Sequence, residues 1–462
     1  MVAGPSLLLE TARRSLSVHQ RALNTVAHNM ANASTPGFSR QEAVMVASES
    51  IPAGVGVMVG TGVRLVEIRR HSDGFLDAQL RAHQAQLAYN LSMQETLRQV
   101  EMFLGEPSDA GIMAALDRFW VAVNDLAQHP ESMAARALVR ESAKTVSAVF
   151  NRAAHDLRAL RLDIEERARA HIAEVNAMVQ DVAKINEDII AARARGHTTN
   201  DLEDKRDLWA DRIVEKTGAR VAILGDGSMR ISLQGIAVVD TGHHYPLSLA
   251  RDTAGSLRLT RATVEVGLAP GGAVGGLLRA HEELAGRTLA ALDTLAAAMV
   301  AGFNTVHASG FGLDGTTGVA FFTITDGAIS MAVNGALQGD AGLRAIAAGD
   351  TPARGDGNNA RDLAALKRDL AVGGFSGWDE YWREMVGRVG VVGAEVERSS
   401  TVGRLLVKEL ENRRDMVRGV SLDEEVTNLI RFQHAYAAAA RLATVADEML
   451  DVIVNRLGLV GR

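Results

Sequence analysis

Cysteine is absent from the 462 residues, which removes disulfides, thiolate metal sites and cysteine nucleophiles together. Aromatic residues make up only 4% of the chain, while Ala and Leu abound, a composition that favours helix–helix packing over an aromatic-rich sandwich. A strong charge of one sign is also missing. The 49 Lys and Arg against 56 Asp and Glu leave −7, so there is no global basic field and no expectation of a nucleic-acid partner. No run reaches the roughly 18 uninterrupted apolar residues that span a bilayer. The most apolar segment, Leu289 to Phe303, carries Asp293 in its middle, so no membrane insertion is expected. Near the amino terminus, Leu7-Leu8-Leu9 precedes the arginines, whereas a cleavable signal peptide has a basic start and a longer apolar core. The expectation is a chain that stays in the cytoplasm or leaves by a route that reads an uncleaved start. With 47% apolar residues, a folded protein of roughly three or four domains is expected.

The hydrophobic pattern predicts a mainly α fold with a β-containing middle. Residues 6 to 33 read as one helix, with Leu9, Ala12, Leu16, His19, Leu23, Val26, Met30 and Ala33 in steps of three and four, the spacing of a coiled-coil seam. Ser34-Thr35-Pro36-Gly37 ends it, because helix is disfavoured before proline and Pro-Gly offers a turn. Residues 41 to 70 are extended or irregular. Helix returns from about Asp73 to Leu104 and from about Ala110 to Gln128. Between Pro130 and Gly196 there is neither Gly nor Pro, and a single helix of that length would be on the order of 100 Å long. Asn200-Asp201-Leu202-Glu203 has the pattern of a cap with Glu three positions on, opening a helix to about Thr217.

From Gly218 to Gly267 the period becomes two. Val221 and Ile223, then Ile231 and Leu233, flank Gly225-Asp226-Gly227-Ser228, a hairpin pattern. Val238, Leu247, Leu249, Leu257, Leu259, Val264 and Val266 continue it. Helix resumes from about Gly275 to His307. A Gly-rich piece follows to Gly357, with strands expected at Phe321–Thr325 and near Ser330–Val333. The last hundred residues are helical. Ser421-Leu422-Asp423-Glu424 is a capping box with acids in the first turn. The seam after it is Leu422, Val426, Leu429, Gln433, Tyr436, Ala440, Ala443, Asp447, Leu450, Val454 and Leu457. Both ends of the chain are therefore amphipathic helices with matching heptads, mildly complementary in charge.

Catalytic patterns fail on their own requirements. Gly310-x-Gly312-x-x-Gly315 matches a dinucleotide fingerprint as a string, but a helix precedes it and a strand follows, the reverse of what pyrophosphate binding needs. His243-His244 has no third ligand at a helical spacing, and adjacent strand residues point to opposite faces. His281-Glu282-Glu283 lacks the second histidine of a zinc-protease helix and is expected at the surface. Arg354-Gly355-Asp356 is a short adhesion-type string in a loop. No pair of carboxylates is marked as a catalytic acid and base. No cofactor and no metal are expected.

Asn29-Met30-Ala31-Asn32-Ala33-Ser34-Thr35-Pro36-Gly37-Phe38-Ser39-Arg40-Gln41 resembles the amino-terminal signature of the bacterial flagellar axial proteins of rod, hook and hook-associated type. Ser421 to Glu425, Asn428-Leu429-Ile430-Arg431-Phe432-Gln433-His434-Ala435-Tyr436 and Asp447-Glu448-Met449-Leu450-Asp451 resemble the matching carboxy-terminal signature. Leu104 to Asp109, Phe119-Trp120, Asn200 to Asp207, and Phe303-Asn304 with His307 and Gly310 are similar to the hook-associated members at the hook–filament junction. Met30 stands where Ile is usual and Phe38 where Tyr is usual, and the capping-box reading accounts for Glu203 in place of a common Leu.

The resemblance implies a non-enzymatic, extracellular structural subunit, exported unfolded through the flagellar type III apparatus with a cytoplasmic chaperone on its last helix. It implies a ring of like subunits between the hook protein and hook-associated protein 3. Residues 1–40 and 421–462 would form an inner coiled-coil layer. Residues 41–217, 275–308 and 357–420 would form a long-helix bundle, and 218–274 with 309–356 a smaller β-rich outer domain. The assembly residues it points to are Leu9, Leu16, Leu23, Val26, Asn29, Met30, Asn32, Thr35, Pro36, Gly37 and Phe38, then Leu422, Val426, Leu429, Phe432, Gln433, Tyr436, Asp447, Leu450, Val454 and Leu457. A rod or hook subunit is the alternative within the family, disfavoured by the Asn200 to Asp207 motif and the long helix before it. A flagellum-associated wall-cleaving enzyme would need an acid–base pair that is not found. A coiled-coil adhesin would leave Thr35-Pro36-Gly37 and Asp447 to Asp451 unexplained.

Overall fold

A computed structural model describes residues 4–54, 56–106, 108–109, 111–253, 255–267 and 271–456. It is mainly helical with several small antiparallel sheets. The chain starts with α1 (Pro5–Asn32), continues into a β ribbon of β1 (Gln41–Ala47), β2 (Ile51–Gly54), β3 (Val57–Val59) and β4 (Val63–Arg70), and then into α2 (Gly74–Leu104) and α3 (Ile112–Gln128). The glycine-free segment is one unbroken helix, α4 (Met133–Ala194, 62 residues), about 93 Å long at 1.5 Å per residue. After it come α5 (Asn200–Thr217) and two small sheets. The first runs in the order β5 (Arg220–Ile223), β6 (Met229–Leu233), β7 (Ile236–Asp240), β8 (His243–His244). The second holds β9 (Leu247–Arg251), β10 (Leu257–Arg261) and β11 (Val264–Glu265) with β10 in the centre. The expected hairpin is there, with Val221 opposite Ile231 and Ile223 opposite Met229.

α6 (Ala273–Ala280) runs through a π-helical turn, His281–Gly286, into α7 (Arg287–Ser309). β12 (Phe322–Thr323) pairs with β13 (Ala332–Val333). The helices α8 (Gly339–Arg344), α9 (Asn358–Asp369), α10 (Trp378–Arg418) and α11 (Leu422–Asp451) close the order, the last continuing as a π turn, Val452–Arg456.

One large core runs along α4, whose Val139, Val146, Phe150, Leu157, Ile164, Ile172, Val179 and Ile189 are buried at helical spacing. The few aromatics are concentrated rather than scattered. Phe119, Trp120, Phe303, Phe321 and Phe322 form one cluster with neighbouring ring centroids 4.9–6.4 Å apart. His307 joins it, fully buried, accepting from Ala347 N–H at Nε2 (2.9 Å) and bonding the Val319 carbonyl through Nδ1 (2.7 Å). Burial pulls its pKa down to about 4, so the neutral ring ties the Gly-rich segment to α7. Gly310 is required beside it, because a Cβ there would lie 2.3 Å from the Asn359 side chain.

Asparagine side chains attach strands to helices. Asn186 accepts from Met229 N–H (2.9 Å) and donates to the Met229 and Thr241 carbonyls. Asn176 holds Leu247 by both backbone groups at 2.8 Å, and Asn304 accepts from Phe321 and Phe322 and donates to Phe322. Each amide offers both donor and acceptor to the strand backbone, as a neighbouring strand would.

Two expectations need correction. His281 is not at the surface: it is 2% exposed in the π turn, and burial together with Arg161 and Arg251 lowers its pKa to about 4. Asn200 does not cap α5. The N-cap is Thr199, without a side-chain cap bond, and the Asn200 amide donates instead to the Ile68 carbonyl (2.8 Å) and Gln41 Oε1 (3.1 Å). Glu203 accepts from Thr199 Oγ1 (2.6 Å) and Arg193 (2.8 Å). By length and composition the continuous helix Ala273–Ser309 is apolar enough to cross a membrane. In the fold its Leu292, Leu295, Ala296, Met299 and Phe303 line the core, and Asp293 accepts from Ala328 N–H at 2.7 Å.

Candidate assembly interface

The two terminal helices pack antiparallel. Asn29, near the end of α1, meets Glu425 at the start of α11, and Phe432 lies against His19, Ala22 and Val26 one to two turns further along. Ala22, Val26 and Phe432 form a small core separate from the large one, with Leu23, Met30, Leu429 and the ribbon residues Ala43 and Met45 packed on it. The strip that α11 turns inward is Glu425, Phe432, Ala439 and Ala446, a strict seven-residue repeat. Its alanines let the helices approach closely. The apolar seam read from the sequence is a neighbouring strip, and in the single chain much of it stays open. Leu422, Val426, Tyr436 and Val454 are 53%, 41%, 38% and 73% exposed, and Gln433 and Asp447 are exposed with them. Leu429 and Leu450 are half-buried and Phe432 is buried. Leu457 lies outside the described residues.

On α1, Val26 and Asn29 are buried, Leu16, Leu23, Met30 and Asn32 half-buried, and Leu9 exposed. Thr35, Pro36 and Gly37 form an exposed turn, with Gly37 at φ +81°, and Phe38 sits edge-on to His28 at 5.3 Å.

Where this pair meets the body, three motifs distant in sequence converge on one polar knot. Asn29 accepts from Gln41 N–H (2.9 Å) and donates to the Gln41 carbonyl (2.8 Å) and to Glu425 (3.1 Å). Arg40 donates to Glu425 (2.7 Å) and pairs with Glu424 (3.1 Å). Its backbone N–H reaches the Arg418 carbonyl (2.9 Å). On the body side, Gln41 donates to Asp201 (2.7 Å), Ser39 N–H to Asp204 (2.8 Å), and Arg70 to both Asp204 and Asp207 (2.8 Å each). Arg81 and Arg414 share Asp211, and Arg418 pairs with Asp77.

Burial pushes the carboxyls of Asp204 and Asp77 up, against the opposing pull of Ser39 and Arg70 on the first and Arg418 and Arg81 on the second. Such pairs offset their own desolvation and add little net stability, but an incorrect angle between terminal pair and body leaves several charges unpartnered. The knot therefore sets orientation. Neither Asn200 to Asp207 nor Asn29 to Gln41 reveals this alone. The only hint in the sequence is the density of acids on α5 together with the arginines at 70, 81, 414 and 418. Beside the knot, α1, β1 and the first half of α11 enclose an open groove of about 780 Å³.

The remaining candidates acquire no chemistry. His243 and His244 are exposed on β8. Gly310 to Gly315 is a turn, closed by Gly315 N–H to the Gly312 carbonyl. The Asp356 carboxylate is occupied by Asp350, Thr351 and Asn358 of its own loop. Among the described residues, no group of three His, Asp or Glu is placed to hold a metal.

Three families match along the chain. Residues 97–322 match the helical domain of flagellar hook-associated protein FlgK, 9–38 the flagella basal body rod protein, and 418–457 the C-terminal region of the flagellar basal body rod FlgEFG protein. Flagellar hook-associated protein 1 of Bacillus subtilis is 29% identical over 98% of this chain and 99% of its own length. That of Escherichia coli is 25% identical over 97% and 100%. In fold, the chain is similar to the solved flagellar hook junction protein FlgK from Burkholderia pseudomallei, with a TM-score of 0.62 at 15% identity, over 74% of this chain and 100% of that one. The expected mainly α architecture with a β-containing middle is the one found. Sequence signatures at both ends, the helical domain between them and the likeness to named relatives agree, and the chain is similar over nearly its whole length to flagellar hook-associated protein 1.

Proposed function

We propose that this chain is the subunit that joins the flagellar hook to the filament, by self-assembly of its terminal helices into a closed ring. The observation that carries the reading is the open strip on the terminal pair. One side of α11 is packed against α1, while Leu422, Val426, Ile430, Tyr436, Met449 and Val454 remain exposed. Six exposed apolar side chains along one helix exceed the scattered singles of an ordinary surface, and a protein surface would cover them. Neighbouring copies supply it in the ring, with the hook protein on one side and hook-associated protein 3 on the other. Before export through the type III apparatus, a chaperone covers it.

Residues 1–40 and 421–462 make the inner layer in this reading. The long-helix bundle and the β-rich pieces stand outside, in the extracellular part of the flagellum. The role is structural and not catalytic: the knot's acids are held in ion pairs and hydrogen bonds that set geometry. Deleting the gene and examining the cells tests this. Hooks without filaments, with flagellin released into the medium, are expected. Filaments of normal number and length on those hooks would rule the reading out.

A further inference from the structure

The long helix α10 buries one stripe and leaves the opposite one bare. Val389, Gly393, Val396, Ser400, Val407 and Arg418 are buried, at the three- and four-residue spacing of a single helix face. That face lies on the bundle: Gly393 and Gly403 sit against Leu97 and Leu87 of α2, and Arg418 pairs with Asp77. About half a helical turn away runs a second stripe with the same spacing. Its apolar members Val391, Val402, Leu405 and Met416 are 69%, 51%, 69% and 78% exposed. Its polar members Glu395, Arg398, Glu409 and Asn412 are exposed as well. Together they form the a and d positions of a heptad seam on the outermost ridge of the helix.

Reversed end to end, this stripe is complementary to itself. Laid antiparallel on a second copy, with the two-fold axis between Gly403 and Arg404, Val402 meets Leu405 and Arg398 meets Glu409. Further out, Glu395 meets Asn412 and Val391 meets Met416, and the symmetry repeats each pair. Parallel pairing instead stacks Glu395, Arg398 and Glu409 each on its own copy. Sliding the antiparallel pair by one heptad sets Arg398 on Val402 and Glu395 on Leu405, or Glu409 on Leu405 and Asn412 on Val402. One orientation and one register therefore satisfy the stripe, and the alternatives meet repulsion or an unpaired charge. Glu409 holds Arg413 of its own helix through Oε1 at 2.9 Å, which leaves Oε2 for the arginine of the other copy. The flanks add no clash, since Lys408 comes opposite Thr401 and Arg413 opposite Val392. From Val391 to Met416, five Lys and Arg balance five Asp and Glu, so two copies of the segment carry no net charge to drive them apart.

We infer that two copies of this chain pair antiparallel, about a two-fold axis, through the outer stripe of α10. Copies in a ring around one axis all point the same way, whereas this contact points them oppositely. It is therefore a contact of the free chain, separate from the ring, and it does not depend on the junction role. Half of its layers are apolar and the rest polar or ion-paired, which makes it a weak, reversible interface rather than an obligate one.

Sedimentation velocity of the full-length chain, in a concentration series reaching the millimolar range, tests this. The mass should double reversibly. Arg398→Glu and Glu409→Arg each turn an attraction into a repulsion at two places and should raise the dissociation constant by about 10-fold or more. A chain carrying both changes regains both pairs and should associate as the parent does. Both positions are exposed, and an unchanged melting transition verifies that each variant is folded. Orientation is read with thiols, because the chain has no native cysteine. Val391→Cys and Met416→Cys are made as separate variants, mixed and treated with a short bismaleimide. In the antiparallel pair the two thiols adjoin, while each lies roughly 38 Å along the axis from its own copy. Mixed dimer should therefore exceed either homodimer by ~10-fold or more. A chain that stays monomeric throughout would overturn the inference, as would association that the single reversals leave unchanged or the double reversal fails to recover. Homodimers in excess of the mixed dimer would overturn the antiparallel orientation. A parent chain that never dimerises yet restores filaments in a deletion strain would leave the junction role standing and the pairing refuted.

Discussion

Glu425→Ala removes one carboxylate from the neck and should detach the terminal pair without touching the body. Glu425 is 1% exposed and accepts from Arg40 at 2.7 Å and Asn29 at 3.1 Å. Removing one partner of a buried ion pair costs about 3–5 kcal/mol. Arg40 keeps partial solvent contact, with 23% of its side chain exposed, and retains Glu424 at 3.1 Å, which brings the loss to about 2–3 kcal/mol. The loss falls on the docking of α1 and α11, because neither residue belongs to the large core. At 1.4 kcal/mol per tenfold, the opening equilibrium of the pair rises by about 30- to 150-fold. Amide exchange read by mass spectrometry should accelerate by that factor in α1 and the first half of α11, while α4 exchanges as before. Unchanged protection in α1 would refute the argument that the knot fixes the pair. Equal loss in α4 would show that the pair and the body are one cooperative unit.

Leu450→Asp should block ring formation yet leave the main thermal transition in place. It removes about 1.5–3 kcal/mol of apolar transfer per contact and adds a desolvation cost in every subunit; a soluble variant that restores filaments would contradict this. His307, held neutral by burial with a pKa of about 4, contributes stability that is fully present above the unfolded value near 6.5 and lost as pH falls toward 4. Between pH 6.5 and 5 the loss is about 2 kcal/mol, so the melting temperature should fall with a slope that His307→Gln reduces; an unchanged slope would refute it. Chelator should leave the main melting transition within about 2 °C, since no metal-ligand set stands among the described residues; a larger drop would reveal a metal.

The long elements were legible because their signals are long. The stretch without Gly or Pro before Gly196 leaves helix as the consistent reading, and Gly225 to Ser228 between alternating residues specifies a hairpin. The strip that α11 buries was not legible from apolarity. Its inward repeat is Glu425, Phe432, Ala439 and Ala446, one paired acid, one aromatic and two alanines, while Leu422, Val426 and Tyr436 beside it stay outside and Leu429 and Leu450 are half-buried. Asn200 matched a cap in type and spacing, but a tertiary partner on β4 outweighed the local bond. His281 was expected at the surface because His281-Glu282-Glu283 lacks the second histidine of a zinc-protease helix; a π turn that rotates it inward is not encoded by any local residue signal. The knot escaped for a related reason. Its members, Asn29 to Gln41, Arg70, Asn200 to Asp211 and Arg414 to Glu425, are each compatible with a solvated surface, and only the fold brings them within hydrogen-bonding distance.

The most direct test is a cryo-electron microscopy reconstruction of the hook–filament junction from cells in which this chain replaces the resident subunit. α1 and α11 are expected as the innermost layer around the channel. Leu422, Val426, Tyr436 and Val454 should be buried against neighbouring copies, and the knot from Asn29 to Glu425 intact. A junction in which those four side chains face solvent, or in which the terminal helices lie on the outside, would contradict it.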